Sequence, residues 1–309
     1  MLQFCLQILF SLICIATFIF DIALLVTVSK EHGKLGRAKN IPFMYIIFMT
    51  MTGIIGKLAI FLMMDAYWIS EIFGFGYETY RKYIGKEVTL FSTFTYLVPL
   101  CLNWLMTAHR VLILVFPAKN HIIFSEKKVM IYCLVITICV FISLIIPYMS
   151  YCPLNFDSRT NIFVAACDPN RHPITTFQNQ STVFFPAIAM IVNMSIILWM
   201  KLFKKSTGAT SSKWEKTIIR QAISTAIYLS IYEIGYQCIR QFPVEYARLP
   251  LEARTIILQF RFCIVCSINF LVYFVEARST RELLIGKIKS RFSVSNGSKI
   301  TVVSRIPTF

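Results

Sequence analysis

The chain has 309 residues and a mass of 35.7 kDa, with 57% apolar residues, 15% charged residues and a mean hydropathy of +0.66. A soluble domain carries about 25% charged residues, so this chain lacks the charge to cover a soluble globule, and its sparse Gly, Pro and Cys exclude collagen-like, low-complexity and disulfide-scaffold classes. The net charge of +16 then becomes a question of membrane sidedness, and nucleic acid is not needed to explain it.

A helix needs roughly 20 apolar residues to cross the hydrocarbon core. In chain order, the stretches 4–28, 41–64, 88–116, 129–148, 183–200, 217–242 and 256–275 meet or approach that length. The first has no basic segment before it and is longer than a signal-peptide core. Lys30, Lys34, Arg37 and Lys39 follow it instead, a pattern that holds the amino terminus outside. The linkers are short, so the reading is one all-α membrane protein, a seven-transmembrane helix bundle spanning 1–292. The tail 293–309 reads as disordered and cytoplasmic. With this topology, segments 29–40, 117–128, 201–216 and 276–309 carry 19 of the 31 Lys and Arg, against 7 in 65–87, 149–182 and 243–254. The split predicts a multi-pass plasma-membrane protein whose basic face meets anionic lipid and an intracellular partner.

Two marks fall on the predicted outer side. Asn179-Gln180-Ser181 is a glycosylation sequon in the second outer loop. Cys152 and Cys167 share that loop and are placed to close a disulfide there, which for such a loop stabilises by roughly 3 kcal/mol. No Cys pair has zinc-site spacing, so neither a metal nor a cofactor is expected.

The third span ends with His109-Arg110 and reaches Pro117 seven residues later. Burying Arg in a membrane costs several kcal/mol unless it is paired or near water; a snorkelling Arg is the bland alternative. The seventh span carries Asn269 and Tyr273, four apart on one helical face. Alone, that spacing is equally a polar helix contact.

Together, seven spans, Arg110 to Pro117 and Asn269 to Tyr273 resemble the seven-helix G-protein-coupled receptors. The rhodopsin-like pattern is acidic-Arg-aromatic at the third helix and Asn-Pro-x-x-Tyr at the seventh. Here His109, Val111 and Phe270 replace the acid, the aromatic residue and the Pro. The sixth span lacks Trp-x-Pro and the second lacks a central Asp. These departures, with the short amino terminus, are similar to the nematode serpentine chemoreceptor families, class x or xa. The resemblance implies G-protein coupling and activation through Arg110, His109, Pro117, Asn269 and Tyr273. With no acid at 109, Arg110 needs another partner or the resting state is less locked.

Three charges within spans define a candidate ligand layer: Lys57, Glu233 and Arg261. Counted from the predicted outer helix ends, they lie roughly 10, 13 and 8 Å deep. They form either a closed network or a small-ligand site, and the cations alternatively snorkel outward. Asp21 reads as too deep to join them and is expected to make an interhelical hydrogen bond instead. Tyr228, Tyr232 and Tyr236 form one stripe, either a helix contact or a ligand wall; Tyr232 and Tyr236 join the candidate pocket. After the seventh span, 276–292 interleaves basic and apolar residues and reads as a short amphipathic helix on the inner leaflet.

The functional reading is a G-protein-coupled chemosensory receptor. Its partners are a small-molecule ligand, a heterotrimeric G protein, membrane lipids and, as a candidate, a second copy in a homodimer. A small-molecule transporter or ligand-gated channel is the alternative. It would call for repeats and broken helices or for a polar pore stripe, neither evident. His32, His109, His121 and His172 form no catalytic set, so no enzyme is expected.

Overall fold

The computed structural model describes residues 2–30, 43–74, 76–116, 122–167, 170–182, 184–207 and 241–276. It also describes scattered positions between 224 and 239, and residues 280–282 and 284–286. Pro117, Tyr232, Tyr236, the tail 293–309 and most of the basic stretches lie outside the described residues.

The long apolar stretches fold as helices: α1 (Leu2–Lys30), α2 (Phe43–Phe73), a short α3 (Tyr77–Tyr83), α4 (Gly85–Val115) and α5 (Glu126–Tyr148). A β-hairpin follows, β1 (Leu154–Asp157) and β2 (Ile162–Ala165), then α6 (Pro173–Ser181), α7 (Phe184–Thr207), α8 (Pro243–Arg248) and α9 (Leu251–Phe270). A π-helical turn, Leu271–Glu276, continues α9. Six helices among the described residues are long and apolar enough to cross a membrane. The described positions from Ser224 to Gln241 in the remaining stretch are also helical.

The helix faces have the polarity a bilayer requires. On α1, Ile8, Leu12, Ile15, Ile19, Ile22 and Val26 are exposed, while Phe10, Cys14, Thr17, Asp21, Leu24 and Val28 are buried. The two sets recur at helical spacing on opposite faces, so the polar residues point inward and the apolar surface outward. That is inside-out for water and correct for lipid, where backbone polar groups are satisfied within the helix. The core runs along α2, α4 and α5 through Tyr45, Met49, Val98, Leu102, Cys133 and Leu144.

The all-helical expectation needs one amendment. The hairpin pairs Leu154 with Ala165 and Asp157 with Ile162 in antiparallel register. Its turn is possible because Asn161 takes the left-handed conformation at φ 55°, which Asn tolerates better than most side chains. Asn161 Nδ2 also donates to Thr255 Oγ1 at 2.7 Å, and the Phe156 amide donates to Thr89 Oγ1 at 3.2 Å. The Tyr77 hydroxyl accepts from the Ser158 amide at 2.8 Å. Burial holds the Tyr77 phenol above its usual pKa, so it stays protonated and donates to Asp157 at 3.1 Å. These bonds lay the hairpin against α3, α4 and α9 at the end of the bundle where α1 begins. A disulfide joins Cys152 to Cys167 across the hairpin base, with the Cα atoms 5.0 Å apart.

Candidate functional site

Polar groups run through the bundle in three layers. The middle layer starts from Asp21 on α1 and Lys57 on α2, both buried and paired as an ion pair. Lys57 Nζ also donates to the Thr17 carbonyl at 3.0 Å. Asn269 on α9 donates through Nδ2 to Asp21 Oδ2 at 3.1 Å and to the Met49 carbonyl at 3.3 Å. Three helices thus converge on one carboxylate. Gly53 permits it: a Cβ there would fall 2.7 Å from Asp21 Oδ2 and collide with Asn269.

This corrects the sequence-based placement of Lys57. The helix predicted to end near residue 64 continues to Phe73, about two and a half further turns. Lys57 therefore lies near mid-helix rather than in an outer layer. Asp21, expected to be too deep to join it, is its partner. The polar residues Asp65 and Ser70, assigned to a loop by the sequence reading, are buried on the same helix. Asp65 accepts from Gln7 Nε2 at 2.5 Å and Ser11 Oγ at 2.9 Å, while Gln259 Nε2 donates to Gln7 Oε1 at 2.7 Å.

The second layer lies at the far end from the hairpin. Arg110 donates from Nη1 to Asn193 Oδ1 at 3.4 Å. Asn193, buried on α7, donates to the Ala189 carbonyl at 2.7 Å and to Thr107 Oγ1 at 3.3 Å. Tyr273 is buried on the π turn within electrostatic reach of both Asp21 and Arg110. The π turn, which the sequence reading missed, sets where Tyr273 stands; such turns widen a helix locally. Phe270 stacks on Phe274 at 5.1 Å and both meet Phe20 edge-on. His109 is buried beside Arg110 but points elsewhere: its ring stacks on Phe124 at 4.3 Å and lies 6.1 Å from Tyr45. It therefore anchors the turn before α5.

The third layer lies beneath the hairpin. A cavity of about 80 Å³ is bounded by Ser92, Thr93 and Tyr96 of α4, Tyr148 of α5, Leu154 and Phe163 of the hairpin, Gln178 and Asn179 of α6, and Arg261 of α9. Thr93 and Tyr148 share a hydrogen bond of 3.0 Å across it. Glu233 is buried close enough to Arg261 to interact electrostatically, and neither carboxylate oxygen has a hydrogen-bond partner among the described residues. Glu233 and Arg261 are thus brought together, and Lys57 is not with them. A second, smaller void of about 30 Å³ lies deeper, lined by Gly53, Gly56, Lys57, Pro99 and Asn269, and Tyr96 borders both.

Asn179 does not sit on an open loop, as a glycan acceptor would. It belongs to α6, started by Pro173 and capped by His172. Its carbonyl accepts from Gln237 at 3.2 Å, and its Nδ2 is enclosed.

The chain is thus a helical membrane bundle with a hairpin-covered cavity at one end and a half-buried Arg at the other. A family model for Caenorhabditis serpentine receptor-like proteins of class xa matches residues 40–194, just over half of the chain. "Serpentine receptor class XA 10" of Caenorhabditis elegans is 32% identical over 250 residues, covering 73% of this chain and 74% of that protein. The chain belongs to the serpentine receptor class xa family, a family of non-enzymatic, multi-pass membrane receptors. Asn193 is the functional residue the sequence reading left out; it is a polar residue in an otherwise apolar span, and such residues mark function by default.

Proposed function

We propose that this protein is a chemosensory G-protein-coupled receptor of the plasma membrane, with the hairpin end and amino terminus outside. In this reading a small molecule enters beneath the hairpin, and the Arg110 end engages a heterotrimeric G protein. The orientation is supported by the 19 to 7 distribution of Lys and Arg. The observation that carries the reading is the continuity of the polar chain. Lys57, Asp21 and Asn269 form its middle, and Tyr273 lies within electrostatic reach of both Asp21 and Arg110. A shift of α9 at the ligand end would move Asn269 and Tyr273 on the same element, which is the two-state behaviour signalling needs.

Arg110 is held by a neutral amide, Asn193, at 3.4 Å, where an acidic neighbour would hold it more strongly. The resting state is accordingly weakly locked, and basal signalling is elevated. The test uses cells expressing the chain with a promiscuous G protein, recording calcium and membrane current together against a panel of small odorants. A calcium response lost in Arg110→Ala, with no direct current, is expected, as is basal signal that falls in the same variant. A current or uptake that survives Arg110→Ala without any G protein would overturn the receptor in favour of a channel or transporter.

A further inference from the structure

The cavity beneath the hairpin is already balanced in charge. Arg261 is the one charged residue among the described residues that line it, and the buried Glu233 carboxylate lies within electrostatic reach of it. The cation is therefore faced by an anion of the protein's own. A charged guest would give up its hydration and find no unbalanced charge in return. An uncharged guest avoids that cost. The apolar wall includes Leu97, Leu144, Phe163 and Phe262 and accepts a hydrocarbon chain. Engineered cavities of 150 Å³ hold benzene, so about 80 Å³ suits a smaller molecule of roughly four to six heavy atoms.

Two hydroxyls supply the second observation. Ser92 of α4 and Thr175 of α6 both line the cavity, at 7% and 9% exposure. Neither side chain makes a hydrogen bond among the described residues. Their neighbours in the lining do: Thr93 donates to the Thr89 carbonyl at 2.9 Å, Thr182 to the Asn179 carbonyl at 3.3 Å and Gln178 to Ser143 Oγ at 3.2 Å. A helical Ser or Thr hydroxyl commonly turns back to a carbonyl one turn earlier, as Thr89, Thr93 and Thr95 of α4 do. Ser92 departs from that pattern, and Thr175 lies in the first turn of its helix, where no earlier turn offers a carbonyl. A buried hydroxyl without a partner costs about 1–3 kcal/mol, so two of them on an apolar-walled cavity mark where the polar atom of a guest is received. Each hydroxyl has one donor and two acceptor sites, which suits a neutral oxygen.

Resting on the receptor reading for its consequence but not for its geometry, we propose that this cavity binds a short uncharged aliphatic molecule carrying one oxygen, an alcohol or a ketone. The Ser92 and Thr175 hydroxyls hold the oxygen and the apolar wall takes the chain. The test is a thermal-shift titration of the purified full-length protein in nanodiscs at neutral pH, with 1-butanol, 2-butanone, butyrate, butylammonium and pentane as probes. The alcohol and the ketone raise the melting temperature in a saturable way, and the two ions and the hydrocarbon do not. Ser92→Ala and Thr175→Val each weaken the neutral probes by roughly 2- to 10-fold, the range for one lost neutral hydrogen bond. Neither substitution lowers the melting temperature of the ligand-free protein, because neither hydroxyl gives up a bond to a described residue. Weaker binding in a variant that melts as the parent does cannot arise from misfolding. A variant that melts lower without ligand would show that its hydroxyl is bonded within the protein, and would overturn the proposal. So would a saturable shift with either ion, an equal shift with pentane, no shift with the neutral probes, or unchanged affinity in both variants. Because the readout needs no G protein, neutral probes that bind without triggering a cellular response would count against the receptor reading alone. A receptor that answers other odorants but binds neither neutral probe would count against this site alone.

Discussion

At the scale of single residues, the Lys57–Asp21 pair is the strongest commitment the chain makes. Both side chains are taken out of solvent, at 3% and 0% exposure. Removing one partner from such a pair leaves an uncompensated buried charge, which costs about 3–5 kcal/mol, whereas replacing both with apolar residues is often near neutral. Lys57→Met alone therefore lowers the melting temperature of the protein in nanodiscs sharply. The double variant Lys57→Met/Asp21→Leu recovers most of the loss. Equal loss in the single and double variants would mean that the two charges are not coupled. The sequence showed both charges but not their meeting, because each depth was counted from a helix end that apolar composition alone misplaces. His109 teaches the same lesson in reverse. Its position beside Arg110 was legible, but its stacking on Phe124 depends on a turn that no spacing rule specifies.

At the scale of elements, α2 is the helix that others approach. Gly53 admits Asp21 and Asn269, and Gly56 admits Thr95 of α4, whose Oγ1 would lie 2.7 Å from an added Cβ. Small residues at such positions let membrane helices pack closely. Gly53→Ala forces apart the contacts around Asp21 and is expected to lower stability by about 1–3 kcal/mol, read as a lower melting temperature and reduced surface expression. An unchanged protein would show that the close approach is dispensable. The hairpin is a different kind of element, held to the bundle by hydrogen bonds that it donates to Tyr77, Thr89 and Thr255 and closed on itself by Cys152–Cys167. Changing both cysteines to Ser removes a short-loop crosslink worth roughly 3 kcal/mol. The expected result is faster proteolysis confined to the hairpin, with the helices still protected; protection unchanged at the hairpin would show that the hydrogen bonds suffice. The sequon and the two Cys were legible as sequence, but the strands were not. Runs of four residues between turns are too short for a periodic signal.

At the scale of the whole molecule, the bundle was legible because the bilayer imposes a crude rule. Length and apolarity identify spans, and the positions of Lys and Arg orient them. Six spans found as long apolar helices correspond to six of the stretches read from the sequence. What that rule does not reach is the inward face of each helix, where the function lies. Only Arg110, Asn269 and Tyr273 carried a recognisable spacing, and their partners Asn193 and Asp21 came from the geometry. The same holds for the candidate ligand charges. Arg261 lines the cavity and Glu233 lies within electrostatic reach of it, while Lys57 belongs to the middle of the bundle.

Tyr96 has the cavity beneath the hairpin on one side and the deeper void on the other. A packed ring ordinarily has nowhere to go, since interiors are filled like crystals. This one has free volume behind it of about 30 Å³, beside Gly53, Lys57 and Asn269. Any displacement of the ring toward that void would bear directly on the charged centre of the bundle, where Lys57 and Asn269 line the same space.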